Sequence, residues 1–231
     1  MKWSKRYMTT RSVLDQDMLD IRDDILRLSS LVSQAVERAV VALKQHDLEL
    51  AQAIVSDDII LDELHNNIEE QVQRTFALQQ PMARDMRRLV ADLLISNELE
   101  RMGDHAEGTA RTVLRYSGDT AIAVPEVMFR MKDHVQRMLM EVMDAYVGMD
   151  AEKARAAAAL DDQLDALYQE LFNMVVPAMS SGTLSVEEGT YLLWAGHNME
   201  RIGDRVTNIS ERIVYAHSGD VEDFNPKRDE A

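Results

Sequence analysis

The segment Glu100-Arg101-Met102-Gly103-Asp104 returns one hundred residues later as Glu200-Arg201-Ile202-Gly203-Asp204. An internal repeat restricts the possible folds more than composition does, because each copy must bury equivalent faces against equivalent neighbours. The repeat extends beyond the motif. At an offset of 103, Asp47, Glu49, Ala51, Ala53, Asp58, Leu61, Asp62 and Leu64 match Asp150, Glu152, Ala154, Ala156, Asp161, Leu164, Asp165 and Leu167. Apolar residues recur at helical spacing almost throughout. The spacing predicts six helices, at about 13–44, 48–78, 83–116, 126–147, 151–178 and 185–216. Gln79-Gln80-Pro81 separates the second from the third, and residues 117–125 form the clearest linker. Pro177 with Ser180-Ser181-Gly182-Thr183 closes the fifth, and Ser185 with Glu188 has capping-box spacing for the sixth. The expected fold is all-α: two tandem, duplicated antiparallel three-helix bundles, elongated. The first spans residues 1–118 with a short N-terminal tail, the second 119–217, and 218–231 is a disordered C-terminal tail.

The composition agrees and narrows the chemistry. The 231 residues include no cysteine, four prolines and nine glycines. Absence of cysteine excludes disulfides, thiolate metal sites and cysteine nucleophiles, and suits a reducing compartment. A net charge of −16 disfavours nucleic acid and anionic lipid, and favours cations or basic partner surfaces. The N-terminus is basic without a following apolar stretch, so it is not a secretory signal, and no apolar run is long enough to span a membrane. A soluble cytoplasmic protein is expected, with no membrane insertion.

Within each motif the acids are four residues apart, on one helix face. Like charges at that spacing cost roughly 0.2–0.5 kcal/mol, and a glycine inside a helix costs up to about 1 kcal/mol. Carboxylates aimed at a shared cation would offset both. Each half also carries an Asp-x-x-x-Asp on its second helix, Asp58/Asp62 and Asp161/Asp165. No Lys or Arg occurs from Gln45 to Gln73 or from Ala156 to Glu200. Two helices packed side by side would therefore present four carboxylates: Asp58, Asp62, Glu100 and Asp104 in one half, and Asp161, Asp165, Glu200 and Asp204 in the other. Oxygen-only ligands suit hard cations such as magnesium, manganese, calcium or iron. Asn97, Glu98, His197 and Asn198 are candidate additional or supporting donors, and Arg101 and Arg201 would neutralise part of the charge or steer an anion. An isolated carboxylate pair would read as ordinary helix surface; the duplication gives the cation reading its weight. The stripe Met199, Ile202, Val206, Ile209 and Ile213 marks a core face that leaves Glu200 and Asp204 to one side, so accessible sites are expected.

Other signals are weaker. No Glu-x-x-His motif of a di-iron bundle is present, nor any Gly-rich phosphate loop or hydrolase signature. The fifteen methionines, several of them between Met128 and Met149, read mostly as core, with an adaptable apolar contact surface as the alternative. The residues by themselves describe a duplicated acidic helical protein with two cation sites, which fits a metal-dependent enzyme or metal-storage bundle, or a binding module using its acidic faces.

The segments 97–106 and 198–205, together with Gln79-Gln80-Pro81-Met82-Ala83-Arg84-Asp85 and Asp161-Asp162-Gln163-Leu164-Asp165-Ala166-Leu167-Tyr168, resemble the signature motifs of the PhoU family. The resemblance covers about residues 8–217. It implies two three-helix bundles and a cytoplasmic, non-enzymatic negative regulator of phosphate uptake and phosphate-starvation signalling. Such a regulator would lie peripherally at the inner face of the membrane. It would connect components of the phosphate ABC transporter with a sensor histidine kinase of a two-component system, as a homodimer. The resemblance also implies surface metal clusters of iron, manganese, magnesium or zinc, held by Asp58, Asp62, Glu100 and Asp104 and by Asp161, Asp165, Glu200 and Asp204. One position departs from the pattern: Arg205 stands where the first copy has His105, and its charge beside Asp204 would weaken the second site.

Overall fold

The computed structural model describes residues 10–116, 118 and 121–224. The expected N-terminal tail, part of the linker after residue 116 and the last seven residues of the expected C-terminal tail lie outside them. Seven helices are present among the described residues, with no strand: α1 Thr10–Gln45, α2 Leu48–Gln79, α3 Arg84–Arg115, α4 Glu126–Gly148, α5 Ala151–Ala158, α6 Asp161–Ser180 and α7 Val186–Ser218. Helices α1–α3 pack on one another, as do α4–α7, giving two tandem helical bundles.

The duplication is visible in the backbone at the first turn of each bundle. His46 and Met149, 103 apart, both take left-handed φ, at 52° and 47°. Each is followed by an aspartate that caps the next helix. Asp47 accepts from the Leu50 amide, and Asp150 from the Glu152 and Lys153 amides. The amides of the two aspartates reach back to the Ala42 and Ala145 carbonyls, both at 3.0 Å, so the same orphan acceptors are satisfied in both copies. The capping box at the start of α7 forms in full, with Ser185 accepting from the Glu188 amide and Glu188 accepting from the Ser185 amide.

The fifth expected helix is two. It breaks at Ala159–Leu160, where the Leu160 amide bonds the Ala157 carbonyl at 3.2 Å in a tighter turn and the Leu160 carbonyl meets both the Gln163 amide and His134 of α4. The break places Asp161 in the first turn of α6. Pro177 does not end that helix, which continues to Ser180. The expected frayed end is also corrected for its first residues: Arg155 pairs with Glu222 at 2.5 Å, the Phe224 amide donates to Glu211 at 3.2 Å, and the Phe224 ring packs on the core. Met128, Met131, Met138 and Met143 are core, whereas Met140 is exposed. Helix α4 is apolar on several faces because it packs on α1, α5, α6 and α7.

The bundles are joined chiefly through α3 and α7, which share the most extensive interface in the molecule. The two helices run antiparallel, since Glu98 meets Arg205 while Tyr116 and the Arg115 carbonyl meet Glu188 and Tyr191. A second junction is polar and buried. The Tyr146 hydroxyl at the end of α4 donates to Asp92 of α3 at 2.8 Å, and Arg88 lies over the Tyr146 ring. Burial pushes the Asp92 carboxyl up to about 6, opposed by Arg88, by the Tyr146 hydrogen bond and by Arg22 of α1.

Candidate functional site

The motif glycines first serve packing. A methyl group at Gly103 would lie 2.5 Å from Leu61 of α2, and one at Gly203 would overlap Leu164 of α6 and lie 2.6 Å from an Asp161 carboxylate oxygen. The glycines thus let α2 approach α3, and α6 approach α7, closely enough for the aspartate pair of one helix to meet the Glu/Asp pair of the next. Gly203→Ala is expected to lower stability by about 1–2 kcal/mol net, since overpacking costs about 1–3 kcal/mol against up to about 1 kcal/mol of helix propensity gained. Gly103→Ala should lose less, because the nearest Asp58 oxygen is 3.7 Å away. Thermal denaturation of the two variants tests the order; equal melting temperatures would contradict it.

In the first bundle the four expected carboxylates come together. Burial raises Glu100 to about 7, helped by Asp104, Asp62 and Asp58 in that order. Asp58 is raised to about 6, by burial first and then by Glu107, Asp62 and Asp104. Asp104 is raised by burial and then by Asp62 and Glu107. The mutual repulsion is what a bound cation would relieve, and the all-oxygen donor set suits a hard ion. Among the described residues, however, no three His, Asp or Glu side chains are drawn together tightly enough to hold a metal ion. The donor chemistry fits, and the carboxylates would have to close around the ion. Asp104 is exposed, while Asp58, Asp62 and Glu100 are half-buried. Glu107, paired with Arg111, belongs to this cluster and was not among the expected residues. Its signal was present, since Glu100, Asp104 and Glu107 follow at i, i+4 and i+7 on one face.

The second copy is built differently, against the expectation of two accessible sites. Asp204 is 3% exposed and Asp161 9%, whereas Asp165 is exposed and Glu200 half-buried. Arg201 folds onto Asp204 at 2.9 Å, while its counterpart Arg101 is exposed. His197 lies 3.3 Å from Glu200. Burial and then Arg201 lower the His197 pKa, with Asp204 opposing.

Three expected residues serve the α3–α7 interface instead. Arg205 does not add its charge to the Asp204 site; it crosses to Glu98 at 3.2 Å, and Asn208 donates to the same carboxylate at 3.1 Å. On the other side of the interface, Asn198 hydrogen-bonds His105. Residues 98 and 198 are equivalent in the repeat, as are 105 and 205, so the two contacts are one pair related by the duplication. Glu98–Arg205 is its ionic version and Asn198–His105 its neutral version. The His105 pKa is lowered to about 4, first by burial, with the Asn198 hydrogen bond opposing and Arg205, Arg201 and Arg101 adding to the decrease. Asn97 is exposed on α3.

Comparison with known proteins gives a consistent result. The family model described as PhoU domain matches twice, at residues 25–113 and 128–213. A phosphate-specific transport system accessory protein PhoU homolog of Clostridium acetobutylicum is 32% identical over 217 residues, covering 94% of this chain and 99% of its own. A homolog of the same description from Rhizobium meliloti is 35% identical over 212 residues, covering 90% of this chain and 88% of its own. Among solved structures, the phosphate transport system regulatory protein PhoU from Streptococcus pneumoniae superposes with a TM-score of 0.85 at 30% identity. It covers 91% of this chain and 99% of its own. PhoU from Pseudomonas aeruginosa gives 0.82 at 30% identity, covering 89% and 99%.

Proposed function

The chain belongs to the PhoU family, and from that premise we propose that it is a non-enzymatic regulator of phosphate transport. It acts in the cytoplasm as a negative regulator, at the inner face of the membrane, between components of a phosphate ABC transporter and the sensor histidine kinase of a phosphate two-component system. It does so as a homodimer. The observation that carries this reading is the two-copy family match over nearly the whole chain, to relatives named as accessory or regulatory proteins of phosphate transport. No helix among the described residues is long and apolar enough to cross a membrane, so attachment there would run through protein partners. The test is a phosphate-responsive reporter in a strain lacking the protein. In phosphate-rich medium its expression should rise to the starved level, and an unchanged reporter would reject the regulatory role.

The first-bundle carboxylates are the cation site of this reading. Asp58, Asp62, Glu100 and Asp104 would hold a hard ion, from among iron, manganese, magnesium or zinc, that locally neutralises a surface meeting other proteins. The exposure of Asp104 favours this over a metal-dependent enzyme or storage bundle, which would want its ligands enclosed. The second cluster is secondary, because Arg201 already neutralises Asp204. Elemental analysis of purified protein should show metal lost from Asp104→Ala and nearly unchanged in Asp204→Ala; equal content in wild type and Asp104→Ala would remove the site. Affinity should also depend on pH. With Asp58 raised to about 6 and Glu100 to about 7, protons compete with the cation below neutrality. Titration calorimetry with manganese should therefore show affinity rising from pH 5.5 to 7.5, and a flat profile would mean that these two carboxylates are not ligands.

A further inference from the structure

Beside the first carboxylate cluster lies a pocket of about 240 Å³, between α1 and α2 and reaching Gly103. Its walls include Leu31, Ala35, Ile54 and Leu61, and its polar edge Arg38, Asp57 and Asp58. The equivalent place in the second bundle is filled. By the offset of 103, Ala35 corresponds to Met138, which is fully buried with its terminal methyl 3.5 Å from where a side chain on Gly203 would begin. Leu31 corresponds to His134, which holds the Leu160 carbonyl, and Leu160 itself stands where the first copy has Asp57. The duplication thus provides an internal control: the same helix crossing is closed in one copy by a methionine and opened in the other by an alanine.

We propose that this pocket receives a lysine or arginine side chain of a protein partner. The apolar walls suit an aliphatic stem, and the rim suits a cationic end. Arg38 engages Asp57 at 2.7 Å, leaving the Asp58 carboxylate as the further negative group on the lining. In the metal-free protein Asp62, Glu100 and Asp104 extend the negative field, offset in part by Arg101 and Arg111, and no Lys or Arg occurs on the chain from Gln45 to Gln73. A long basic side chain buries its methylenes against apolar surface while its charge meets acid. The occupant is part of a protein and not a free amine because apolar surface continues outside the pocket. Ile60 on the lining is 43% exposed and its neighbour Ile59, beyond the lining, 56%, and a larger partner would cover both. The inference deepens the regulatory reading by giving the chemistry of one contact.

The test uses full-length, chelator-treated protein and methyl NMR of Leu31, Ile54 and Leu61. The probes are acetyl-Gly-Lys-Gly-amide, the same peptide with norleucine, and spermidine. The lysine peptide should shift these methyls in wild type and bind at least about tenfold more weakly to Ala35→Met, in which the first pocket is filled as the second is. Met138 shows that a methionine fits at this crossing, and an unchanged melting temperature would check folding. Asp57→Asn, which leaves the pocket open but frees the Arg38 charge to repel a cation, should also weaken binding. Undiminished binding to Ala35→Met, equal shifts from the norleucine peptide, or saturation by spermidine without response to the lysine peptide would each overturn the proposal. In cells, Ala35→Met should derepress the phosphate reporter as deletion does. If deletion derepresses and Ala35→Met regulates normally, the docking proposal fails while the regulatory role stands.

Discussion

Arg205→Ala is expected to destabilise the protein by about 3 kcal/mol, the lower end of the cost of removing one partner of a buried ion pair. The side chains of Arg205 and Glu98 are 9% and 17% exposed, so the carboxylate left behind is poorly hydrated, although Asn208 still donates to it. For a chain of this size the melting temperature should fall by about 6–12 °C. The repeat supplies its own rescue. Glu98→Asn combined with Arg205→His would rebuild on this side the neutral pair that Asn198 and His105 form on the other. The double variant should recover much of the loss, with a coupling energy of at least about 1 kcal/mol in a double-mutant cycle. If Arg205→Ala melts within about a degree of wild type, the α3–α7 interface does not depend on this pair.

Tyr146→Phe should cost about 1–3 kcal/mol, because it leaves the Asp92 carboxylate buried without its hydroxyl donor. Asp92 is 1% exposed and Tyr146 fully buried, so water cannot easily replace the lost partner. The contact joins α4 of one bundle to α3 of the other, and urea denaturation should show the loss. The pH dependence has a fixed sign. The folded-state pKa of Asp92 is raised to about 6, so the native state holds its proton more tightly than the unfolded state does. This group's contribution is most favourable below about pH 4 and is lost as pH rises through 6. Asp92→Asn should therefore flatten the stability profile between pH 4 and 7 relative to wild type. An unchanged slope would mean that Asp92 does not titrate in that window.

Much of the fold was legible because helices are specified locally. Apolar spacing, the Gln79-Gln80-Pro81 break and the Ser185/Glu188 box determine where helices run and which face they bury. The divided helix was not legible, since no glycine or proline marks the break at Ala159–Leu160 and the His134 contact there comes from 26 positions away. The first carboxylate cluster could be read because its members repeat at i, i+4 on two helices and recur in a second copy. Glu107 was missed although it shares the face, because its relation to Asp58 crosses between helices.

Spacing along the chain thus determined the all-α duplicated architecture and the pairing of Asp58/Asp62 with Glu100/Asp104. The first rests on spacing within a turn or two and on one copy compared with the next, and the second on the i, i+4 acid pairs that two consecutive antiparallel helices both carry. Only the tertiary structure decided which copy is open. Arg101 and Arg201 are the same residue in the same motif, yet one is exposed while the other lies on a buried aspartate. Ala35 opens a crossing that Met138 fills, and Arg205 is drawn away from Asp204 by Glu98. The Arg205 outcome depends on Glu98, presented by an antiparallel neighbour 107 residues away, and the Arg201 outcome on the burial of Asp204, whose counterpart Asp104 is exposed; helical periodicity carries no information about either.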